Sequence, residues 1–243
     1  MQEIKREWNG MPTFFEDQIE NDAIFHNTLV GFGELIIDKD FIDEMNSFAN
    51  QIQSNGKFIA MLFDINEKVN SFFYSEEAND LSRAETYDDN EVVDEDGMII
   101  GTRISSLKGK NIAQCSEKSI AAFIILKKLY EMGKITRKPI LALSQMTTEK
   151  TQNGPHAFVL LNKKCDNPTK HLLFDVENPA LHLDRDDETE HLFIGLYSLT
   201  DEEYNNLENG LSCTPKSLFE IVGNYEEISE KRTYGKVELE KQK

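Results

Sequence analysis

Three residues in the middle third of the chain, Cys115, His156 and Asp175, have the side chains and the order that acyl transfer through sulfur requires. A cysteine attacks a carbonyl as its thiolate, a form favoured by a helix N-terminus and by an adjacent imidazolium. The imidazole takes the thiol proton and later delivers it to the leaving group. A carboxylate that accepts the second imidazole N–H fixes tautomer and ring orientation. Asn111 or Gln114 could add a side-chain oxyanion donor beside the backbone N–H of Cys115, and Asn178 is a second candidate for the orienting role. Each residue also has a plainer role: a thiol packs well in a core, a histidine on an apolar strand can be satisfied there, and Asp175 can cap a turn. The conjunction of all three, in order and on suitable elements, favours catalysis.

The surrounding pattern supplies those elements. Small and polar residues lead into Cys115, after which Ile120, Ala121, Phe123, Ile124, Leu126, Leu129 and Met132 recur at helical spacing, with Gly133 placed as a C-terminal stop. Cys115 is thus expected in the first turn of a buried helix. Three strands are expected next, Pro139–Met146, His156–Leu161 and His171–Val176, separated by polar loops suited to antiparallel neighbours. Upstream, VGFGELII (Val30–Ile37) predicts a strand, Asp38 or Asp40 caps a helix running to Ile52, and a second helix spans Lys57–Phe73. Residues 75–97 read as an exposed acidic excursion, with Asp96-Gly97 turning a small hairpin. Residues 1–30 show no clean period and read as a surface arm. Downstream, His191–Tyr197 predicts a strand, Asp201–Asn209 a helix and Ser217–Val222 a further turn or two. The expected organisation is α+β: a mainly helical region with an acidic loop (1–100), a core carrying the three residues (101–225) and a charged tail (226–243).

Composition narrows the function classes. Of 243 residues, 26 are basic and 44 acidic, a net charge of −18 that opposes binding to nucleic acid or to anionic lipid. The acidic runs read as solvated surface, although they also suit a basic protein partner. No segment approaches the ~18 apolar residues of a membrane helix, and the charged start lacks a signal region, so a cytoplasmic location, or delivery by a non-classical route, is expected. Three cysteines without a CxxC pair suit a reducing compartment, and Cys165 and Cys213 read as incidental. His171, His182 and His191 lack the spacing of a zinc site, so neither a metal nor any other cofactor is expected.

The pieces Gln114-Cys115-Ser116-Glu117 leading to Ala121-Ala122, then Gly154-Pro155-His156-Ala157-Phe158, then Leu173-Phe174-Asp175-Val176 with Pro179 beyond, resemble the transglutaminase-like superfamily of papain-like cysteine enzymes. The likeness covers about residues 105–180. Ile112-Ala113-Gln114 stands where relatives usually carry a glycine close before the cysteine, and Glu177-Asn178 where an aromatic often follows the aspartate motif. The resemblance implies a papain-like core and a Cys115–His156–Asp175 triad acting on an amide or peptide carbonyl through a thioester. It implies a protease or amidase/deamidase if water resolves the thioester, and a transglutaminase or acyltransferase if an amine does. A non-catalytic binding module on the same fold is the competing class. The expected partner is a protein or peptide substrate; oligomeric state is not legible.

Overall fold

A computed structural model describes residues 6–8, 11–16, 18–19, 23–26, 34–52, 58–75, 85–86, 90–146, 154–162, 171–177, 181–183, 190–192, 195–209, 211, 213 and 216–217. The expected tail at 226–243, Cys165, Asn178 and Pro179 lie outside them. The chain forms β1 (Arg6–Trp8), β2 (Met11–Glu16), β3 (Ala23–His26), β4 (Glu34–Ile37), α1 (Lys39–Gln51) and α2 (Phe58–Phe73). β5 (Glu91–Val93), β6 (Ile99–Arg103), a short 3-10 turn (Ile104–Leu107) and α3 (Cys115–Glu131) follow. The rest comprises β7 (Lys138–Met146), β8 (Gly154–Asn162), β9 (His171–Asp175), β10 (Leu181–Leu183), β11 (Glu190–Leu192), β12 (Gly195–Leu199), α4 (Asp201–Glu208) and β13 (Lys216–Ser217).

The architecture is α+β. A seven-stranded antiparallel sheet runs β1-β2-β7-β8-β9-β12-β13. A four-stranded sheet, β3-β4-β6-β5, contains one parallel pair, β4 with β6, and β10 pairs with β11 alone. The surface arm expected at 1–30 is therefore corrected, since β1 and β2 extend the main sheet and β3 opens the second. Sequence periodicity missed them because the strands are short. The single strand expected at His191–Tyr197 is divided: β11 ends at Leu192, and β12 begins at Gly195 in a different sheet.

Helix α3 is the hub. Its buried run Ser119–Leu126 faces neighbours all round, which an amphipathic surface helix does not do. It contacts α1 and α2 on one side and β7 and β8 on the other. The helix stops at Gly133 (φ 69°), where the Gly133 N–H bonds the Tyr130 carbonyl and the Lys134 N–H bonds that of Leu129, a Schellman closure. Of the two caps open for α1, Asp38 is the one used: it accepts from the Phe41 N–H at 3.1 Å and from the Ser105 N–H at 3.1 Å. Helix α1 buries Phe41, Met45 and Ala49, and Phe72 of α2 meets Phe41 edge-on at 5.5 Å.

Both faces of the main sheet are covered. Leu141, Leu143, Ala157, Val159, Leu161 and Phe174 join the α3 side, in one apolar cluster that extends from Leu35 to Leu196. Ala142, Phe158, Leu160, Leu173, Tyr197 and Leu199 form the other face with Leu207 of α4. Residues on either side of the expected boundary at 100/101 thus share one core. The described residues contain no helix long and apolar enough to cross a membrane.

Candidate active site

Cys115 is the first residue of α3, half-buried, with Gln114 as N-cap. The fully buried Glu117 accepts the Gln114 N–H at 3.0 Å, which fixes where the helix begins and therefore where the sulfur is held. A helix start leaves N–H groups without intrahelical acceptors and carries partial positive charge, a favourable setting for a thiolate and for a developing oxyanion.

Strand alternation assigns His156 to the side of Phe158, whose ring lies 6.2 Å from it, and Asp175 to the side of Leu173. The β8–β9 ladder runs only from Leu161↔Leu172 to Val159↔Phe174. In the stretch of β8 beyond it, side chains make the connections. His156 Nε2 lies 2.8 Å from Asp175 Oδ2, and the Ser119 hydroxyl donates to the Ala157 carbonyl at 2.9 Å. The cysteine-bearing helix is thereby tied to the residue next to His156. With Nε2 on Asp175, Nδ1 is the ring nitrogen left for Cys115, which lies near enough to the ring to favour its protonation.

Asp175 is fully buried, and its Oδ1 accepts the Glu177 N–H at 3.1 Å. Burial of His156 opposes its protonation. The Asp175 charge and hydrogen bond, followed by Cys115, outweigh it and hold the imidazole well above its usual range. The ring is thus suited to be an imidazolium when the thiol proton arrives. Glu177 sits beside this pair: burial pushes its carboxyl up, against the pull of Lys118.

No protein-family model, curated protein or solved structure matches this chain.

The structure brings Cys115, His156 and Asp175 together and separates the oxyanion candidates. Asn111, at φ 59°, accepts from the Ser75 N–H at 2.8 Å and donates to the Ser75 carbonyl at 2.7 Å. Its carboxamide oxygen and one of its two N–H groups hold the turn ahead of α3. Gln114 remains at the helix start. His171 bonds Asp201 at 3.1 Å and stacks on Tyr204 at 4.2 Å, so it fastens α4 to β9. Among the described residues no cluster of His, Cys, Asp or Glu is placed to hold a metal. Cys213 is buried in the opposite apolar cluster, and that burial, with Glu203 nearby, pushes its thiol up to about 12.

Sequence reading overlooked Ser119, Lys118 and Glu177. Ser119 lies one turn after Cys115, the spacing that places both on one helix face, and this was the available signal. Ser119→Ala should leave the Ala157 carbonyl without this donor and cost about 1–3 kcal/mol in stability, readable from a denaturant titration. A loss below a few tenths would mean that the tie is dispensable.

Proposed function

We propose that this chain is a thiol enzyme that acts on an amide or peptide carbonyl, with a papain-like core of the transglutaminase-like kind. The observation that carries the reading is a buried imidazole joined to a carboxylate on one side and within reach of a helix-start cysteine on the other.

In this reading Cys115 Sγ gives its proton to His156 Nδ1 and adds to the carbonyl carbon. The oxyanion faces the Cys115 N–H, with the Gln114 side chain as the candidate second donor. When the tetrahedral adduct collapses, the C–N bond breaks, the departing nitrogen takes the proton from His156, and a Cys115 thioester remains. Asp175 holds the imidazolium throughout. Water, deprotonated by His156, then releases a carboxylate and restores the thiol; an amine would instead form a new amide. We favour hydrolysis, as in a cysteine protease or amidase/deamidase, with transglutaminase or acyltransferase activity as the alternative.

Mass spectrometry of candidate substrate proteins incubated with wild type and with Cys115→Ser separates these outcomes. Backbone cleavage, conversion of a carboxamide to a carboxylate and an amine adduct are distinct products. Each should vanish with the serine variant, and products that persist would remove Cys115 from the chemistry.

A further inference from the structure

The ion pair between Lys118 and Glu177 lies where the cysteine helix meets the end of the aspartate strand. Lys118 Nζ is 2.8 Å from Glu177 Oε2, and both side chains are largely shielded, at 18% and 28% exposure. The approach is close, and attraction between the two charges provides the link. Lys118 follows Cys115 by three residues and shares its helix face. Glu177 follows Asp175 by two, and its backbone N–H bonds Asp175 Oδ1.

These contacts close a ring. It runs from Cys115 along one helical turn to Lys118, across to Glu177, through the Glu177 N–H to Asp175, on to His156 and back to Cys115. We propose that the Lys118–Glu177 pair is a positioning element that holds the turn after β9 against α3, so that Asp175 keeps Oδ1 on the Glu177 N–H and aims Oδ2 at His156. Neither side chain of the pair needs to touch substrate. The device acts through the orientation of the carboxylate, and small misplacements at such groups are costly. An isolated exposed pair would contribute little, but shielding from water raises the stake of breaking this one.

The inference rests on the thiol-enzyme reading, and its test separates the two. Full-length wild type, Lys118→Met, Glu177→Gln and the charge-swapped Lys118→Glu/Glu177→Lys are treated with iodoacetamide across pH 5–9, and Cys115 modification is followed by mass spectrometry. Circular dichroism reports folding. Selective labelling of wild-type Cys115 at acidic pH, with its dependence on His156, checks the underlying reading first.

With that in place, Lys118→Met and Glu177→Gln should each slow acidic labelling by about tenfold and move the profile toward that of Asp175→Asn. The swapped variant should recover to within about threefold of wild type, because the attraction is restored with its direction reversed. Folded single variants with wild-type profiles would overturn the positioning role and leave the enzyme reading standing. So would a folded swapped variant that recovers nothing. If one single variant fails to fold, the other and the swap still decide the question.

Discussion

His156→Ala should abolish the preferential alkylation of Cys115 at mildly acidic pH. An ordinary thiol ionises near pH ~8.5, so at pH ~6 only about 0.3% of it is the reactive thiolate. In the wild type His156 is poised to take that proton, because Asp175 holds its imidazole well above the usual range despite burial. Removing the ring removes both the acceptor of the thiol proton and the positive partner of the thiolate. Part of the resulting loss of thiolate is masked, since a thiolate from a less acidic thiol is the better nucleophile. The net expectation is a roughly tenfold or greater decrease at pH ~6, shrinking to near parity above pH ~9. Site-resolved mass spectrometry after brief iodoacetamide treatment provides the measurement. Cys213 acts as an internal reference that should stay unlabelled throughout this range, as its thiol is pushed up to about 12 by burial. Equal labelling of Cys115 in both proteins at every pH would dissociate sulfur from imidazole and favour the binding-module class.

The second large effect concerns stability and its pH dependence. His156 has a folded-state proton affinity above its unfolded value, so the folded protein binds the extra proton between the two. Its contribution is fully present below about pH 6.5 and is lost as pH rises through the higher folded value. Asp175→Asn removes the charge that sustains this. Burial, the largest single influence on the ring and one that opposes protonation, then faces only the weaker support of Cys115. The slope should flatten or reverse. Breaking one partner of a buried charged pair typically costs about 3–5 kcal/mol, and we expect a loss of that order at pH ~6, narrowing toward pH 9. Denaturant titrations of both proteins at the two pH values provide the difference curve, which cancels the other titrating groups. A constant difference across pH would mean that His156 is not held protonated by Asp175. A loss under about 1 kcal/mol at pH 6 would mean that the pair is not structurally coupled in the folded state.

Much of the site was legible before any coordinates. The apolar period after Gln114, the Gly133 stop and the strand runs ending near Leu161 and Asp175 come from local preferences, and the observed α3, β7, β8 and β9 follow them within one or two residues. The identity and order of Cys115, His156 and Asp175 were likewise visible, because the proposed roles of nucleophile, base and orienter each require particular side-chain chemistry. Other parts were hidden because their causes are not local. β2 is a strand by virtue of its place beside β7, and β1 by its place beside β2, and short segments carry too little period to show it. The Asn111 carboxamide is committed to Ser75, distant in sequence and adjacent in space.

By itself the sequence determined which residues could perform chemistry here and which elements carry them, since composition and periodicity act within a few turns of chain. Only the tertiary structure decided whether they meet. His156 stays beside Phe158, its neighbour on the same strand face, and reaches Asp175 just past the end of the β8–β9 ladder; the Ser119–Ala157 tie and the buried packing of α3 set the start of the cysteine helix against that end of β8. Distance between such groups is set by where strands stop pairing and by which helix face is buried, properties of the whole fold that no local stretch of sequence specifies.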